Sequence, residues 1–448
     1  MKKNKLSSMM AILFFCALFP AEGFPQTSIM KWQDGKEGCA SLTFDDGSIN
    51  QFRIAVPILN ERGLHATFFI ITGGIPGSKY QPKFIGRPVQ KIIKESKSIP
   101  TRETNLFERC SALYYLAQTG KYPEIEKFSN MDAAIGVQYE EGKYKEVYSI
   151  IDSAYATLRE GGHVYNFKDV EVKPDTGYHL TWDILRKVDE EGHEIANHSV
   201  THPYMPVMSK ANLLYEIEKC SLDMEKHLNR NRILSIECPY GVGDKRVLKY
   251  AFELFPFVRN GLEDKFIKEI LRGEPGEPVS KDKEYVQWQR GPLSKTPLSE
   301  MEGWIDTVMK DSAWLVLVFH GVEGIGWEAI PKEKFAEYFD YIKAEENNLW
   351  VATFQDAYKY VRERMNAKVK TKSDKGKITI TLLHKLNREI YNLPLTLKTF
   401  VPATWRSAIV QQGQQKVDVK VQNDGTKAFI QYRAMPNRGN VVLTKISE

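Results

Sequence analysis

The sequence has 448 residues, enough for two or three domains with a large buried core, and carries a formal net charge of +5. Lys2, Lys3 and Lys5 against Glu22 account for +2 of that charge, and the rest holds no long basic run outside one linker-like stretch, so nucleic-acid binding gains no support. Four of the five cysteines (Cys39, Cys110, Cys220, Cys238) are widely spaced with no CxxC pair, which reads as buried apolar residues rather than structural zinc or a disulfide framework.

The chain opens Met-Lys-Lys-Asn-Lys, turns apolar from Met9 to Phe19 and reaches small residues at Ala21-Glu22-Gly23, the basic, apolar, small order of a secretory signal over residues 1–23. No later stretch approaches the roughly 20 apolar residues of a spanning helix, so the mature protein is expected to be exported, periplasmic or extracellular, with no transmembrane segment. Cys16 raises a lipoprotein alternative, against which Leu13-Phe14-Phe15 lacks the small residues of a lipid-attachment site.

Cys39 to Phe44 then reads as an apolar strand ending in Asp45-Asp46-Gly47, followed by a helix with Phe52, Val56 and Leu59 on one face and a second strand from Ala66 to Ile71. After an interruption the alternation resumes with a helix (Thr181 to Glu190), a strand (Glu194 to Asn197) and a helix from Ser209 carrying Leu213, Ile217, Cys220 and Met224. Strands follow at Ile233 to Glu237 and Trp314 to Phe319, then a helix with Phe335, Phe339 and Ile342, and a last strand from Leu349 to Phe354. This β/α alternation predicts a barrel or a doubly wound parallel sheet, covered on both faces, within residues 24–367.

Residues 73–178 form a mostly helical insertion with Val147, Ile151, Ala154 and Leu158 on one face and Gly161-Gly162 as its stop. Its aromatics fit a core better than a sugar groove. Lys368 to Lys377 reads as a linker, after which period-two runs at Ile378–Leu382 and Val417–Val421, with an Asn423-Asp424-Gly425 turn before Phe429–Tyr432, predict a β-sandwich over residues 377–448. Its role is packing, or sugar binding through Trp405 or Tyr432.

Singly, the polar clusters have plain explanations: Asp45-Asp46-Gly47 suits a turn, and His198 with His202 suits a metal or a loop. Together with His320 they all follow apolar strands, at the ends where α/β barrels build active sites. One Asp with two His gives an oxygen and two nitrogens that suit a divalent ion, zinc above others, with positions left for water and substrate. His193 precedes its strand and reads as structural.

Thr43-Phe44-Asp45-Asp46-Gly47, Gly192 to Ser199, His198 to His202, Cys238-Pro239-Tyr240-Gly241 and Val318-Phe319-His320 stand in an order that resembles the polysaccharide deacetylases (NodB homology domain, carbohydrate esterase family 4). The resemblance covers about Gly38 to Tyr360 without the insertion. It implies a deformed, incomplete β/α barrel, with Asp46, His198 and His202 binding the metal and Asp45 acting as general base. It further implies that the backbone N–H of Tyr240 helps hold the oxyanion and that His320 protonates the leaving group. The implied substrate is an acetylated polysaccharide, through N-acetyl groups of an amino-sugar polymer or O-acetyl groups of a polymer such as acetylxylan. A catalytically silent sugar-binding protein is the rival, one that would not need all five of these polar residues. Two positions depart from the family: Glu237 stands where relatives often place an arginine beside the base, and the Asp-Trp segment that supports the acid histidine is not evident, Gln287-Trp288 being the nearest stretch. Two adjacent carboxylates would impair the base, so Glu237 is expected to turn from Asp45 or to pair with a Lys or Arg from elsewhere.

Overall fold

The computed structural model describes residues 26–118, 131–160, 180–241, 243–259, 270–272, 287–374 and 376–446. The expected leader and the expected helix stop at Gly161-Gly162 lie outside them. The chain divides into one unit of Met30–Asn366 with Lys385–Leu395 and another of Met1–Ile29, Ala367–His384 and Thr396–Glu448.

Strand β1 (Thr27–Ile29) belongs to the smaller unit. The larger is built on β2 (Gly38–Phe44), β3 (Ala66–Ile70), β4 (Glu194–Asn197), β5 (Ser235–Glu237), β6 (Phe257–Arg259), β7 (Ile270–Arg272), β8 (Gln287–Arg290), β9 (Trp314–Phe319) and β10 (Leu349–Val351). They form one sheet in the order β6-β5-β4-β3-β2-β9-β8-β7, with β10 on the first half of β2. Every register recorded in it is parallel. All residues of β2, β3 and β4 are buried, as strands covered on both faces must be.

The sheet is rolled. Four strand spacings separate β6 from β2, about 19 Å in a flat sheet, yet Arg259 on β6 bonds Thr43 on β2 at 2.6 Å. The path stays open between β6 and β7 among the described residues, so the architecture is the expected deformed, incomplete β/α barrel rather than a doubly wound sheet.

Helices cover the barrel where the apolar spacing predicts. Trp182–Glu190 starts on a Thr181 cap, whose hydroxyl accepts from the Ile184 amide, and Lys210–His227 buries Leu213, Ile217, Cys220 and Met224. The helix after β2 opens with a π-turn at Gln51–Ala55, and the last expected strand is shorter than predicted, since Phe354 begins the helix Phe354–Asn366. The insertion holds helices Val89–Glu95, Leu106–Gln118, Met131–Glu140 and Tyr144–Glu160. Val147, Ile151, Ala154 and Leu158 sit in one buried cluster with Tyr155, which supports the core reading of the insertion's aromatics. The four cysteines are buried and form no disulfide among the described residues.

The smaller unit contains two sheets, β1-β13-β17-β16 and β11-β12-β18-β14-β15. Its strands are β11 (Lys368–Asp374), β12 (Lys377–Leu383), β13 (Leu395–Phe400), β14 (Ser407–Gln412), β15 (Gln415–Lys420), β16 (Gln422–Asn423), β17 (Ala428–Ala434) and β18 (Val441–Lys445). The expected hairpin turn is present, with Gly425 at φ +90° and β16 paired to β17. Two expectations are corrected. Lys368 to Asp374 is no linker but strand β11, paired residue for residue with β12, its lysines alternating along a sheet edge. Trp405 and Tyr432 are only 4% and 7% exposed and Tyr432 spends its hydroxyl on Thr399, so neither offers a face to a sugar.

Candidate metal centre and active site

Each polar cluster emerges at the carboxyl end of a strand, where side chains leave the packed interior: Asp45 and Asp46 after β2, His198 after β4, Tyr240 three residues past β5, and His320 after β9. The main chain is forced to turn sharply there. Asp46, Ser199, His202 and Tyr240 all have φ between +62° and +71°, the left-handed region that non-glycine residues occupy at a cost of order 1–3 kcal/mol each. Four such residues surround one opening.

Asp46, His198 and His202 offer one oxygen and two nitrogens, all within 4.8 Å of one another. The Nε2 atoms of His198 and His202 lie 3.6 and 3.5 Å from Asp46 Oδ1. That is too long for a good hydrogen bond but close to the roughly 3.4 Å subtended by two ~2.1 Å bonds at a tetrahedral angle, so the set fits a divalent ion. His198 Nδ1 lies 3.0 Å from the Glu237 carbonyl, which can only accept; the proton is therefore on Nδ1 and Nε2 is free to ligate. The His202 amide donates to Ser199 Oγ (2.8 Å), the Ser199 amide to Asn197 Oδ1 (2.9 Å), and the Asn197 amide group is tied to Ile217 and Ser221. Burial, followed by the neighbouring His198, lowers the pKa of His202 to about 4, leaving a neutral imidazole. Burial alone would raise the Asp46 carboxyl, but the three histidines outweigh it and the acid stays ionised.

Behind the triad lies a buried ion cluster. Asp45, Glu237 and Arg259 are almost fully buried, and Arg259 is the Cα partner of Glu237 on the neighbouring strand. Its Nε donates to Glu237 Oε2 (3.0 Å), its Nη1 to Asp45 Oδ1 (2.9 Å) and its Nη2 to Asp45 Oδ2 (2.5 Å), while the guanidinium lies over the Phe69 ring. Glu237 is therefore paired with an arginine from elsewhere, as expected, and that arginine also clamps Asp45 in bidentate fashion. Burial is the largest influence on Asp45 and raises its pKa; Arg259, His320 and His198 together more than reverse this. His320 Nε2 lies 3.6 Å from Asp45 Oδ2 and its ring meets Trp327 edge-on at 4.8 Å.

Gln287-Trp288 supplies no acid to His320. Gln287 donates to the Val258 carbonyl and Trp288 packs in the core beneath Arg290. His193 is held between the Ala66 amide and Asn60, away from the mouth. Sequence reasoning missed Arg259. Arg259 carried a usable signal, a charge ending the short apolar run Phe257-Val258, the same strand-end position as the other site residues. Tyr240 is placed beside the triad, its ring 4.7 Å from that of His202 and 46% exposed.

Two stretches of the chain, residues 33–95 and 142–254, match the polysaccharide deacetylase family. The chain is also 30% identical over 97 residues to a gellan lyase of a Bacillus species, and 27% identical over 121 residues to an uncharacterized 30.6 kDa protein of Geobacillus stearothermophilus. These matches cover 21% and 24% of this chain, but only 4% and 44% of the relatives' own lengths. Among solved structures it is similar to the Xyl-CE4 domain of a multidomain xylanase from the hindgut metagenome of Trinervitermes trinervoides (13% identity, 72% of this chain and 90% of that one, TM-score 0.32). It is likewise similar to the peptidoglycan deacetylase PdaC of Bacillus subtilis (15%, 73% and 93%, TM-score 0.33). At such scores the barrel assignment rests on the sheet order and the Arg259 bridge rather than on superposition. The family match spans Asp45, Asp46, His198, His202 and Tyr240, so the similarity to the polysaccharide deacetylases falls on the residues that the barrel brings together at its mouth.

Proposed function

We infer that this chain is an exported, metal-dependent hydrolase that removes acetyl groups from a polysaccharide. The observation that carries the reading is the convergence at one mouth of a three-ligand set, Asp46, His198 and His202, with a carboxylate and a histidine only 3.6 Å apart beside it. A divalent ion held by the triad, zinc in our reading, would supply Lewis acidity toward water and the acetyl carbonyl.

Asp45, kept ionised and aimed by Arg259, accepts the proton of the attacking water. His320 donates a proton to the departing atom. In this reading the backbone N–H of Tyr240, on the φ +62° turn whose ring neighbours His202, stabilises the developing oxyanion, a role commonly worth a few kcal/mol. The positioned histidine favours amide substrates, that is, N-acetyl groups of an amino-sugar polymer: an amide nitrogen cannot leave unprotonated, whereas an ester oxygen leaves with less help. A silent sugar-binding protein has no use for a buried, arginine-clamped carboxylate beside a metal set.

The test is acetate release from a panel of N-acetylated and O-acetylated glycans, with and without added zinc. Release from the N-acetylated members, abolished by chelation and restored by metal, is expected. Release only from esters would move the substrate to the acetylxylan class, and none from either would overturn the reading.

A further inference from the structure

Trp327 is 59% exposed, the most exposed aromatic side chain among the described residues, and it stands against His320. Leaving so much apolar surface in water is unfavourable, and an exposed aromatic beside a catalytic mouth is a recurrent sign of ligand contact.

The loop that carries it is built to hold it there. After His320 the chain doubles back: the Gly321 amide donates to the Trp327 carbonyl (2.8 Å), Val322 and Ile325 exchange backbone bonds (2.9 and 3.1 Å), and the Ile330 amide returns to Gly321 (3.1 Å). The two strands of this turn approach so closely that a Cβ on Gly321 would lie 2.7 Å from the backbone of Gly326 and of Trp327. From outside, the buried Asn50 amide donates to the Val322 and Glu323 carbonyls (3.1 and 3.2 Å), and Ser294 holds Glu328 (2.5 Å). Val322 and Ile330 are buried by this folding, whereas the indole is turned out. A loop pinned by its own backbone and by two neighbouring segments gives the exposed ring a fixed position at little entropic cost when something binds to it.

We propose that Trp327 forms a carbohydrate subsite, its indole face stacking on the C–H face of a neutral pyranose ring on the His320 side of the metal triad. The proposal rests on the polysaccharide reading above and goes beyond it by naming the residue that grips the polymer. A pyranose ring offers a patch of weakly positive C–H groups that complements the negative face of an indole without charge. Because the ring touches the histidine that serves the departing atom, the stacked sugar is the one bearing the acetyl group or the one joined to it.

The experiment compares wild type, Trp327→Phe and Trp327→Ala, each loaded with zinc, on an N-acetylglucosamine hexasaccharide, an acetylated xylohexaose and 4-nitrophenyl acetate. Trp327→Ala should raise KM at least about tenfold on the oligosaccharide that wild type turns over, with kcat within about threefold, as expected when uniform substrate binding is removed. The small ester should be unaffected and Trp327→Phe should keep most of the affinity. An unchanged KM on the oligosaccharide, or an equal loss of kcat on all substrates, would overturn the subsite, the latter meaning that Trp327 only props His320. Calorimetric titration of the same two oligosaccharides into wild type and Trp327→Ala separates this from the deacetylase reading. Binding lost in the variant supports the subsite even if no acetate is released, and no binding by wild type overturns it.

Discussion

Arg259 serves two buried carboxylates at once, and that arrangement decides how the residues around it respond to change. Removing it as Arg259→Met leaves Asp45 and Glu237 buried without their cation, a loss of about 3–5 kcal/mol of stability and of nearly all turnover. Adding Glu237→Met to that variant should recover part of the stability, seen in denaturant unfolding, while activity stays lost because Asp45 is still unclamped. Full recovery of activity in the double variant would deny Arg259 its positioning role. Glu237→Gln alone keeps the Arg259–Asp45 bridge and should lower kcat/KM by less than about tenfold, or roughly 1.4 kcal/mol, whereas Asp45→Asn should abolish turnover with metal retained. Equal damage from both would make Glu237 part of the catalytic machinery. In the triad, alanine at Asp46, His198 or His202 should strip most of the bound metal in elemental analysis; full occupancy in all three variants would refute the ligand set.

At the scale of elements, the 198–202 turn is held by its neighbour. The Thr72 and Gly73 amides after β3 donate to Ser199 and Val200 carbonyls (3.2 and 2.8 Å), and a Cβ on Gly73 would stand 2.5 Å from the Val200 oxygen. Gly73→Ala must push the 198–202 turn outward, and since His198 and His202 flank that contact, we expect zinc affinity to fall about 10- to 100-fold, the range of losses when groups supporting metal ligands are disturbed. Competition with a chromogenic chelator measures it. Unchanged affinity would mean that the turn tolerates displacement without moving its histidines. Gln51 makes a second inter-element tie, its amide donating to the Asp45 and His320 carbonyls (2.6 and 2.8 Å), so the helix after β2 fixes Asp45 and His320 relative to each other.

For the whole molecule, stability should depend on pH through Glu194, buried at the start of β4 and accepting from Thr67, Ser235 and the Gln355 amide. Burial raises its pKa to about 7, against an ordinary 4.5. The folded state therefore holds a proton that the unfolded chain releases between about pH 4.5 and 7, so this contribution falls as pH rises across that window and is constant above it. The span amounts to a few kcal/mol at most. Melting temperatures from pH 4.5 to 8 should decline less steeply in Glu194→Gln than in wild type, both measured with chelator present. Parallel curves would show that Glu194 does not govern the slope.

The strand ends and the chemistry placed on them follow from local pattern. Apolar runs such as Trp314 to Phe319 form strands for local reasons, and the residue after such a run stands at the mouth whichever way the sheet is rolled. Asp45, Asp46, His198 and His320 were legible for that reason and His202 by its four-residue spacing from His198, whereas Tyr240 came from the family resemblance alone. That Arg259 answers Asp45 from 214 residues away is a matter of packing, because the partner across a barrel depends on how far the sheet curls, which no local pattern encodes. The same holds for Lys368 to Asp374, whose alternating lysines looked like a solvated linker until β12 supplied hydrogen-bonding partners. Burial of Trp405 and Tyr432 beside exposure of Trp327 makes the point once more: an aromatic's letter carries its stacking chemistry, but packing alone settles whether its face meets a neighbour or a ligand.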